Sequence, residues 1–228
     1  MEATWTEVDE YFAQQLAPPD DVLTEALAAS AAAGLPPISV TAPQGKLLHL
    51  LARMIGARRI LEIGTLGGYS TIWLGRALPP DGRLVTMEID PACAAVARQN
   101  LARAGLADRV DLMLAPAAES LHTLAAVGAE PFDLVFIDAD KASSDSYFVA
   151  ALGLTHAGSV IVVDNVVRDG AVADAASTDS SILGIRRLME LVPREPRVAA
   201  TAIQTVGSKG YDGFLLARVL PPGESPEA

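Results

Sequence analysis

Three oxygen-bearing side chains follow two consecutive apolar runs of the chain. Asp138 comes directly after the run Phe132 to Ile137, and Asp164 and Asn165 come directly after the run Ser159 to Val163. Because sequential strands are usually neighbours about 4.8 Å apart, these side chains are expected to converge. Each residue alone is more often a cap or turn former, but crowded carboxylates cost free energy unless a cation offsets them. The set predicts a site for Mg²⁺ or a similar hard ion.

A lysine follows the first of these acids. Lys141 comes three residues after Asp138, close enough to reach the same cleft. An ordinary surface pair with Asp145, four residues further on, is equally compatible with the spacing, and both interpretations stay open at this point. The three histidines have no carboxylate partners in sequence, and the single cysteine can form neither an internal disulfide nor a zinc knuckle. None of these four residues is assigned any chemistry.

A glycine-rich turn joins the first predicted strand to its helix, in the sequence LEIGTLGGYS from Leu61 to Ser70. Such a turn presents backbone N–H groups and a helix N-terminus at the carboxyl edge of a parallel sheet, where ligands bind. A dinucleotide-binding fingerprint would require glycine at position 66, which is leucine, and the Glu62 carboxylate would repel a pyrophosphate. The turn therefore favours a cationic ligand, although a turn that only packs helix against strand is the alternative.

Glu88 ends the second predicted strand, 26 residues after Glu62. A carboxylate at that position can accept both hydroxyls of a ribose, and a solvated acid ahead of Asp90 is the alternative. Together the turn and the acid indicate a ribose-bearing ligand that is held without a phosphate clamp. S-adenosylmethionine, an adenosine joined to an amino acid through a sulfonium cation, fits this description.

The composition is that of a globular protein and excludes disorder. The chain has 228 residues, half of them apolar, and its 28 acidic and 17 basic side chains give a net charge of −11. This charge repels phosphate backbones, so nucleic acid is an unfavoured partner. No stretch approaches the ~20 apolar residues of a bilayer span, and the first residues lack the basic region of a secretory signal. These features, with the lone cysteine, lead us to expect a cytoplasmic protein without membrane attachment.

Short apolar runs alternate with helical patterns from about Gly56 onward, which predicts an α/β fold with a mostly parallel sheet and helices on both faces. The last two strands are joined only by Gly207 to Gly210, which is too short for a parallel crossover, so they are expected to pair antiparallel. The seven predicted strands are 59–63, 83–88, 110–114, 132–137, 159–163, 198–206 and 214–219.

The region before the sheet, residues 1–56, is predicted to form a helical cap that belongs to the same domain, with helices over residues 5–16, 20–33 and 43–55. Residues 57–220 are predicted to form the domain that carries the site. The tail, residues 221–228, is rich in Pro and Glu and is expected to fray.

The chain resembles the cation-dependent O-methyltransferases of the catechol and caffeoyl-coenzyme A type, from about Ile38 to Val219. Several motifs agree in order and spacing: VTAPQG at 40–45, LEIGTLGGYS at 61–70, the acid Glu88, FIDADK at 136–141 and VDNV at 163–166. The ordered set is far more specific than any one of its motifs. The resemblance implies a Rossmann-like methyltransferase fold with a seven-stranded sheet whose last strand is antiparallel. It also implies a homodimer.

Carried over residue by residue, the resemblance implies a role for each matched position. The methionine end of S-adenosylmethionine would lie against Val40, Glu62, Gly64, Thr65, Ser70 and Asp138, the ribose on Glu88 and the adenine near Ala117. Asp138, Asp164 and Asn165 would hold a divalent cation, Mg²⁺ before Mn²⁺ or Ca²⁺, and Lys141 would be the general base. The chain departs from the family at Asp169-Gly170, where plant relatives have Asn-Gly, and at Ala115-Pro116-Ala117 in the adenine loop.

These residues together predict methyl transfer from S-adenosylmethionine to a hydroxyl of a catechol-like small molecule. Three alternatives stay open. An RNA methyltransferase would need basic surface that the net charge disfavours, and a nicotinamide oxidoreductase would need the missing glycine. A non-catalytic cofactor-binding module would tolerate loss of Lys141.

Overall fold

The computed structural model of the protein describes residues 2–226 and contains one seven-stranded sheet. Its strands are β1 Arg59–Ile63, β2 Arg83–Glu88, β3 Val110–Leu114, β4 Phe132–Ile137, β5 Thr155–Asp164, β6 Val198–Gly207 and β7 Gly210–Val219. The helices are α1 Glu2–Leu16, α2 Asp21–Ala32, α3 Ala42–Met54, α4 Tyr69–Ala77, α5 Pro91–Arg103, α6 Ala117–Ala126, α7 Ser144–Leu152 and α8 Ser180–Leu191.

The strands are arranged in the order β3-β2-β1-β4-β5-β7-β6. β1 to β5 pair in parallel, and β7 is antiparallel to both of its neighbours, β5 and β6. The predicted fold, a mostly parallel sheet whose last strand is reversed, is therefore confirmed. The final hairpin is longer than predicted, because β6 and β7 stay paired as far as Gly207 and Gly210 and leave only Ser208 and Lys209 in the turn.

Both faces of the inner strands β1, β2 and β4 are buried, which explains their apolar sequences without polar alternation, whereas the edge strand β6 is largely exposed. Successive residues of β1 point to opposite faces: Ile60 packs with Leu23 of α2 and Leu48 of α3, and Leu61 packs with Phe148 of α7. Helices α2 to α5 contribute to the apolar cluster that contains Ile60, and helices α6 to α8 contribute to the cluster that contains Leu61. The sheet thus separates two apolar layers.

The N-terminal region differs from helix to helix in how deeply it is buried. α2 and α3 bury Leu23, Ala26 and Leu48, whereas α1 buries none of its described residues and contacts β6 and α3. Thr41 caps α3 reciprocally with Gln44, so this helix begins where the sequence pattern placed it. Residue 1 of the predicted cap and residues 227 and 228 of the predicted tail lie outside the described residues. Within residues 2–226, no helix has both the length and the apolar character to cross a membrane.

A buried asparagine ties the N-terminal helices to the first turn of the sheet. Asn100 of α5 has no exposed surface, and its Nδ2 donates to the carbonyl oxygens of Ala26 at 3.2 Å and Gly67 at 2.8 Å. Its Oδ1 accepts from Arg103 at 2.7 Å. Backbone groups of two elements therefore depend on one side chain for their hydrogen bonds.

Substitution of Asn100 by leucine should lower the free energy of unfolding by about 2 to 4 kcal/mol, because two buried carbonyls lose their donor. Urea denaturation measures this change. The same substitution at exposed Gln99, the preceding residue of α5, is the control and should change stability little. Equal stability of the two variants would contradict the role of Asn100 as a buried link.

Candidate active site

A cavity of about 1040 Å³ opens at the carboxyl ends of β1, β2, β4 and β5. The direction in which successive strands are added changes between β1 and β4, because β2 and β3 follow on one side of β1 and β4 and β5 on the other. Such a switch point leaves a crevice in which open α/β sheets bind ligands. Nine predicted site residues line the cavity: Val40, Gly64, Thr65, Ser70, Glu88, Ala117, Asp138, Lys141 and Asn165. The other two, Glu62 and Asp164, lie behind its wall and in an adjoining cavity respectively.

The glycine turn after β1 passes directly against the end of β4. Gly64 has a φ of +104°, and a Cβ at this position would lie 2.3 Å from the carbonyl oxygen of Asp138. Only glycine can adopt this positive φ without strain and leave free the space that a Cβ would occupy. Leu66 also adopts a positive φ, +49°, and its backbone N–H donates to Glu88 Oε2 at 2.8 Å. The turn is thereby fixed to both neighbouring strands.

Glu62 is fully buried beneath this turn. Its carboxylate accepts hydrogen bonds from Ser70 Oγ at 2.6 Å, Thr71 Oγ1 at 2.5 Å and Thr86 Oγ1 at 2.7 Å. Burial raises the pKa of Glu62 to about 7, against the three hydroxyl donors, and the charge of Asp138 raises it further. Glu62 has no exposed surface, and hydrogen bonds link it to the cavity lining through Ser70 and, by way of Thr86, through Thr65. Its contact with the cofactor stays a prediction.

Glu88 is held at the edge of the cavity by backbone donors. Besides Leu66, the N–H groups of Ile89 and Asp90 donate to its Oε1, each at 2.9 Å. The alternative of a freely solvated acid does not describe this environment, because three N–H groups fix the carboxylate where it lines the cavity. Ala117 begins α6 on the same side and lines the cavity with Ala115 and Pro116.

The three predicted metal ligands converge where β4 and β5 end. The two strands are paired in parallel with Ile137 opposite Val163, so Asp138 and Asp164 leave the sheet side by side. Asp164 is only 6% exposed, and its pKa is raised by burial first and by the charge of Asp138 second. Asn165 follows in a left-handed conformation, with a φ of +58°.

These side chains suit a hard divalent cation. Two carboxylates and an amide oxygen are the donors that Mg²⁺ and Ca²⁺ prefer, and the mutual repulsion of two partly buried acids is relieved by a cation. In the part of the chain that the structure describes, no three His, Cys, Asp or Glu side chains converge in a way that could hold a metal ion. A cation at this point would need Asn165 as its third ligand.

Lys141 lies in this cleft and not on the surface. Its Nζ is 2.6 Å from Asp138 Oδ1, and its side chain is 10% exposed. The alternative partner, Asp145, instead forms an ion pair with Arg187 of α8 at 2.8 Å. Lys141 begins a short 3-10 helix, Lys141–Ser143, which Asp140 caps by accepting from the Ser143 N–H at 3.1 Å.

Comparison with known proteins identifies the family of this chain. A family model described as O-methyltransferase matches residues 15–220. The chain belongs to the O-methyltransferase family. The predicted resemblance and the predicted enzyme class, an S-adenosylmethionine-dependent O-methyltransferase, are confirmed at this level.

Similar proteins and structures cover nearly the whole chain of this O-methyltransferase. A catechol O-methyltransferase of Mycobacterium tuberculosis is 54% identical over 93% of this chain and 95% of its own, and one of Niastella koreensis is 49% identical over 93% and 96%. The crystal structure of an O-methyltransferase from Bacillus cereus in complex with SAH is 53% identical, with a TM-score of 0.95 over 96% of this chain and 100% of its own. The O-methyltransferase TomG from Streptomyces achromogenes, in complex with SAM and involved in tomaymycin synthesis, is 51% identical, with a TM-score of 0.93 over 96% and 99%.

Several residues that line the O-methyltransferase cavity were missed by the sequence analysis, and four of them come late in the chain: Arg168, Lys209, Tyr211 and Asp212. They lie in the loop after β5 and in the β6–β7 hairpin. Asp212 Oδ1 accepts from the N–H groups of Val167 and Arg168, both at 3.0 Å, and so holds the loop that follows Asn165. Arg168, Asp169 and Gly170 all have positive φ, which shows how sharply this loop turns at the departure from the plant sequence. The hairpin sequence indicated a turn but gave no signal that the turn reaches the site.

Substitution of Glu62 by glutamine should change how stability depends on pH. The folded-state pKa of about 7 lies above the ordinary 4.5, so Glu62 stabilises the fold below pH 4.5, and this contribution is lost as the pH rises through 7. The free energy of unfolding of the unmodified protein, relative to the variant, should therefore fall over this range by up to about 3 kcal/mol. Urea denaturation at several pH values measures it, with exposed Glu10→Gln as the charge control. A difference in the free energy of unfolding between the unmodified protein and the Glu62 variant that stays constant with pH would contradict the raised pKa of Glu62.

Substitution of Gly184 by alanine should displace Lys141. A Cβ on Gly184 of α8 would lie 2.2 Å from the carbonyl oxygen of Lys141 and 2.7 Å from Ala142 Cα, both backbone atoms, so the 3-10 helix would have to shift. We expect the melting temperature to fall, because the added methyl group meets backbone atoms, and we expect kcat measured on the folded variant to fall roughly 10- to 100-fold, because the side chain beside Asp138 is displaced. Gly153→Ala is the control, since its nearest neighbour is a backbone oxygen at 3.3 Å. Unchanged kcat in the Gly184 variant would show that Lys141 tolerates the shift.

Proposed function

We propose that this enzyme transfers a methyl group from S-adenosylmethionine to one hydroxyl of a catechol-like small molecule, with the help of a divalent cation. The observation that carries the proposal is the convergence of Asp138, Asp164 and Asn165 beside Lys141, at the edge of a cavity built on the glycine turn. The names of the relatives from Mycobacterium tuberculosis and Niastella koreensis support a catechol as acceptor.

The methyl donor is proposed to occupy the larger cavity. Glu88 would accept the ribose hydroxyls, since its carboxylate already faces the cavity and is fixed by three N–H donors. Val40, Gly64, Thr65 and Ser70 would hold the methionine end, with Glu62 acting through Ser70, and Ala117 would lie near the adenine. The structures from Bacillus cereus with SAH and from Streptomyces achromogenes with SAM support this assignment.

Asp138, Asp164 and Asn165 would hold the divalent cation. Such an ion, when bound, lowers the pKa of a coordinated hydroxyl as it does that of water. The residues themselves contribute rigidity, because Asp164 is buried at the end of a central strand and the loop after Asn165 is held by Asp212. A vicinal diol suits this arrangement better than a monophenol, since two oxygens can reach the open positions together.

Lys141 is proposed to remove the proton from the hydroxyl that is methylated. Its amino group lies 2.6 Å from an oxygen of Asp138, within reach of any hydroxyl bound at the same acid. The backbone of Lys141 is fixed by the capped 3-10 helix that it begins and by α8, whose Gly184 packs closely against the Lys141 carbonyl oxygen. The chain then aligns oxygen, methyl carbon and sulfur, and positioning of this kind supplies up to about 7 to 11 kcal/mol in favourable intramolecular models.

The alternatives are less well supported by the site. An oxidoreductase would leave the acids after β4 and β5 without a role, and Leu66 stands where a dinucleotide site needs glycine. A non-catalytic module would leave Lys141 unused. RNA as acceptor is disfavoured by the net charge of −11 and would show itself as salt-dependent RNA binding.

The homodimer and the cytoplasmic location remain predictions. We would place a dimer contact on the exposed apolar residues of α1, which are Val8, Tyr11, Phe12 and Leu16.

Methyl transfer to catechol should require both the metal ligands and Lys141. Lys141→Met should lower kcat roughly 100- to 10,000-fold, the range for loss of a general base, and EDTA should abolish activity until Mg²⁺ is restored. Initial rates with catechol and phenol, each with and without EDTA, measure these effects, and Lys46→Met outside the cavity is the control. Methylation of phenol that survives EDTA would contradict the proposed chelation.

A further inference from the structure

One charged side chain in the cavity has no part in the proposed reaction. Lys209, in the two-residue turn between β6 and β7, lines both the larger cavity and an adjoining cavity of about 260 Å³. The smaller cavity is also lined by the three proposed metal ligands, Asp138, Asp164 and Asn165. Lys209 therefore lies at the border between the two cavities, on the side of the acceptor.

The smaller cavity suits a single aromatic ring that carries hydroxyls. Its walls include the apolar residues Ile38, Val40, Pro43, Leu47 and Phe214, and the acids after β4 and β5 lie at one end. Its volume is near the lower limit of small-molecule pockets, which favours a compact acceptor. A ring bound there by two hydroxyls at the metal ligands would direct any further substituent toward the remaining polar lining.

Among the described residues that line the smaller cavity, Lys209 is the one cationic side chain, and it has no acidic partner. Its Nζ donates to the carbonyl oxygen of Ser39, a neutral group, and no carboxylate among residues 2–226 lies within ion-pair distance of it. Partial burial lowers the pKa of Lys209, and the charges of Asp138 and Asp164 raise it. A divalent cation on those two acids would offset their charge, and the ammonium group would then share the smaller cavity with the carboxylates of Asp9 and Asp212.

The backbone of this lysine is fixed, unlike that of an ordinary surface turn. Asp9 Oδ2 of α1 accepts from both the N–H and the Oγ of Ser208, each at 3.0 Å. Gly207 passes so close that a Cβ there would lie 2.6 Å from the same oxygen, and Gly210 has a φ of +90°. A tight, anchored turn directs Lys209 into the site and lowers the entropic cost of using it for recognition.

Resting on the proposed function, we infer that the acceptor of this enzyme carries a carboxylate on its dihydroxylated ring and that Lys209 binds this carboxylate. The protein as a whole repels anions, so a carboxylate-bearing acceptor requires a local cation of this kind. Lys209 binds the acceptor and takes no part in proton transfer, and its loss should act on acceptor affinity more than on kcat.

The test compares three acceptors: catechol, 3,4-dihydroxybenzoate and the neutral 3,4-dihydroxybenzamide. With Mg²⁺ present, the unmodified enzyme should methylate the acid with a kcat/KM roughly tenfold or more above that of the amide, since hydrogen bonds to charged groups are the stronger ones. Lys209→Met should remove this preference mainly through KM. Lys209→Arg should restore part of it, and Lys46→Met, which changes a lysine outside both cavities, should retain all of it.

Calorimetric binding of the acid and the amide tests the role of Lys209 independently of turnover. Tighter binding of the acid that is lost in Lys209→Met supports the inference. Equal binding of acid and amide to the unmodified enzyme would overturn it, and so would a preference that survives in Lys209→Met but disappears in Arg168→Gln, because Arg168 lines only the larger cavity. Failure to methylate catechol and the acid alike would instead contradict the proposed function.

Discussion

The site depends on a close contact between the turn after β1 and the end of β4. Asp138 donates its N–H to the carbonyl oxygen of Ile63 at 2.8 Å, and Gly64, the next residue, has no room for a Cβ against the Asp138 carbonyl. The turn proposed to bind the methyl donor and the first proposed metal ligand are therefore parts of one rigid junction. A reaction that needs oxygen, methyl carbon and sulfur in line gains most from such a junction, because the relative position of its two halves is set before substrate arrives.

Charge is the second constraint, since the acidic groups at this junction lie in an already acidic protein. Glu62 is buried with three hydroxyl donors, and Asp164 is buried beside Asp138. Burial raises the pKa of both Glu62 and Asp164, so their placement costs free energy that the hydroxyls and Lys141 only partly offset. These acids form a polar cluster at the junction. Its arrangement is suited to binding a cationic donor and a divalent ion at neighbouring points.

How much of the site could be predicted depended on how locally each residue's position is determined. Asp138, Asp164 and Asn165 follow apolar strands directly, so the parallel sheet alone brings them together, and Glu88 is predictable for the same reason. Glu62 was identified as part of the turn, but its orientation was not, because the alternation of side chains along β1 places it beneath the turn. Spacing alone could not decide whether Lys141 reaches the cleft beside Asp138 or pairs with Asp145 on the surface. The contact between Asp145 and Arg187 of α8, across 42 residues of sequence, shows that Asp145 has another partner. Lys209 gave no signal at all, since the turn that carries it is anchored by Asp9 at the opposite end of the chain.

The reversed last strand explains why that distant turn reaches the site. β6 runs parallel to β1 through β5, so it ends at the edge of the sheet where their carboxyl ends lie, and β7 must begin there because it is antiparallel to both β5 and β6. A parallel seventh strand would require a crossover connection and would place the start of β7 at the opposite edge. The hairpin instead delivers Lys209 and Asp212 to the end of β5, next to Asp164 and Asn165. The reversal that distinguishes this sheet from a wholly parallel one therefore supplies the side of the site on which we propose that the acceptor binds. The two-residue turn lies apart from the junction between the turn after β1 and the end of β4, so under the proposed function its residues can vary acceptor preference without disturbing that junction.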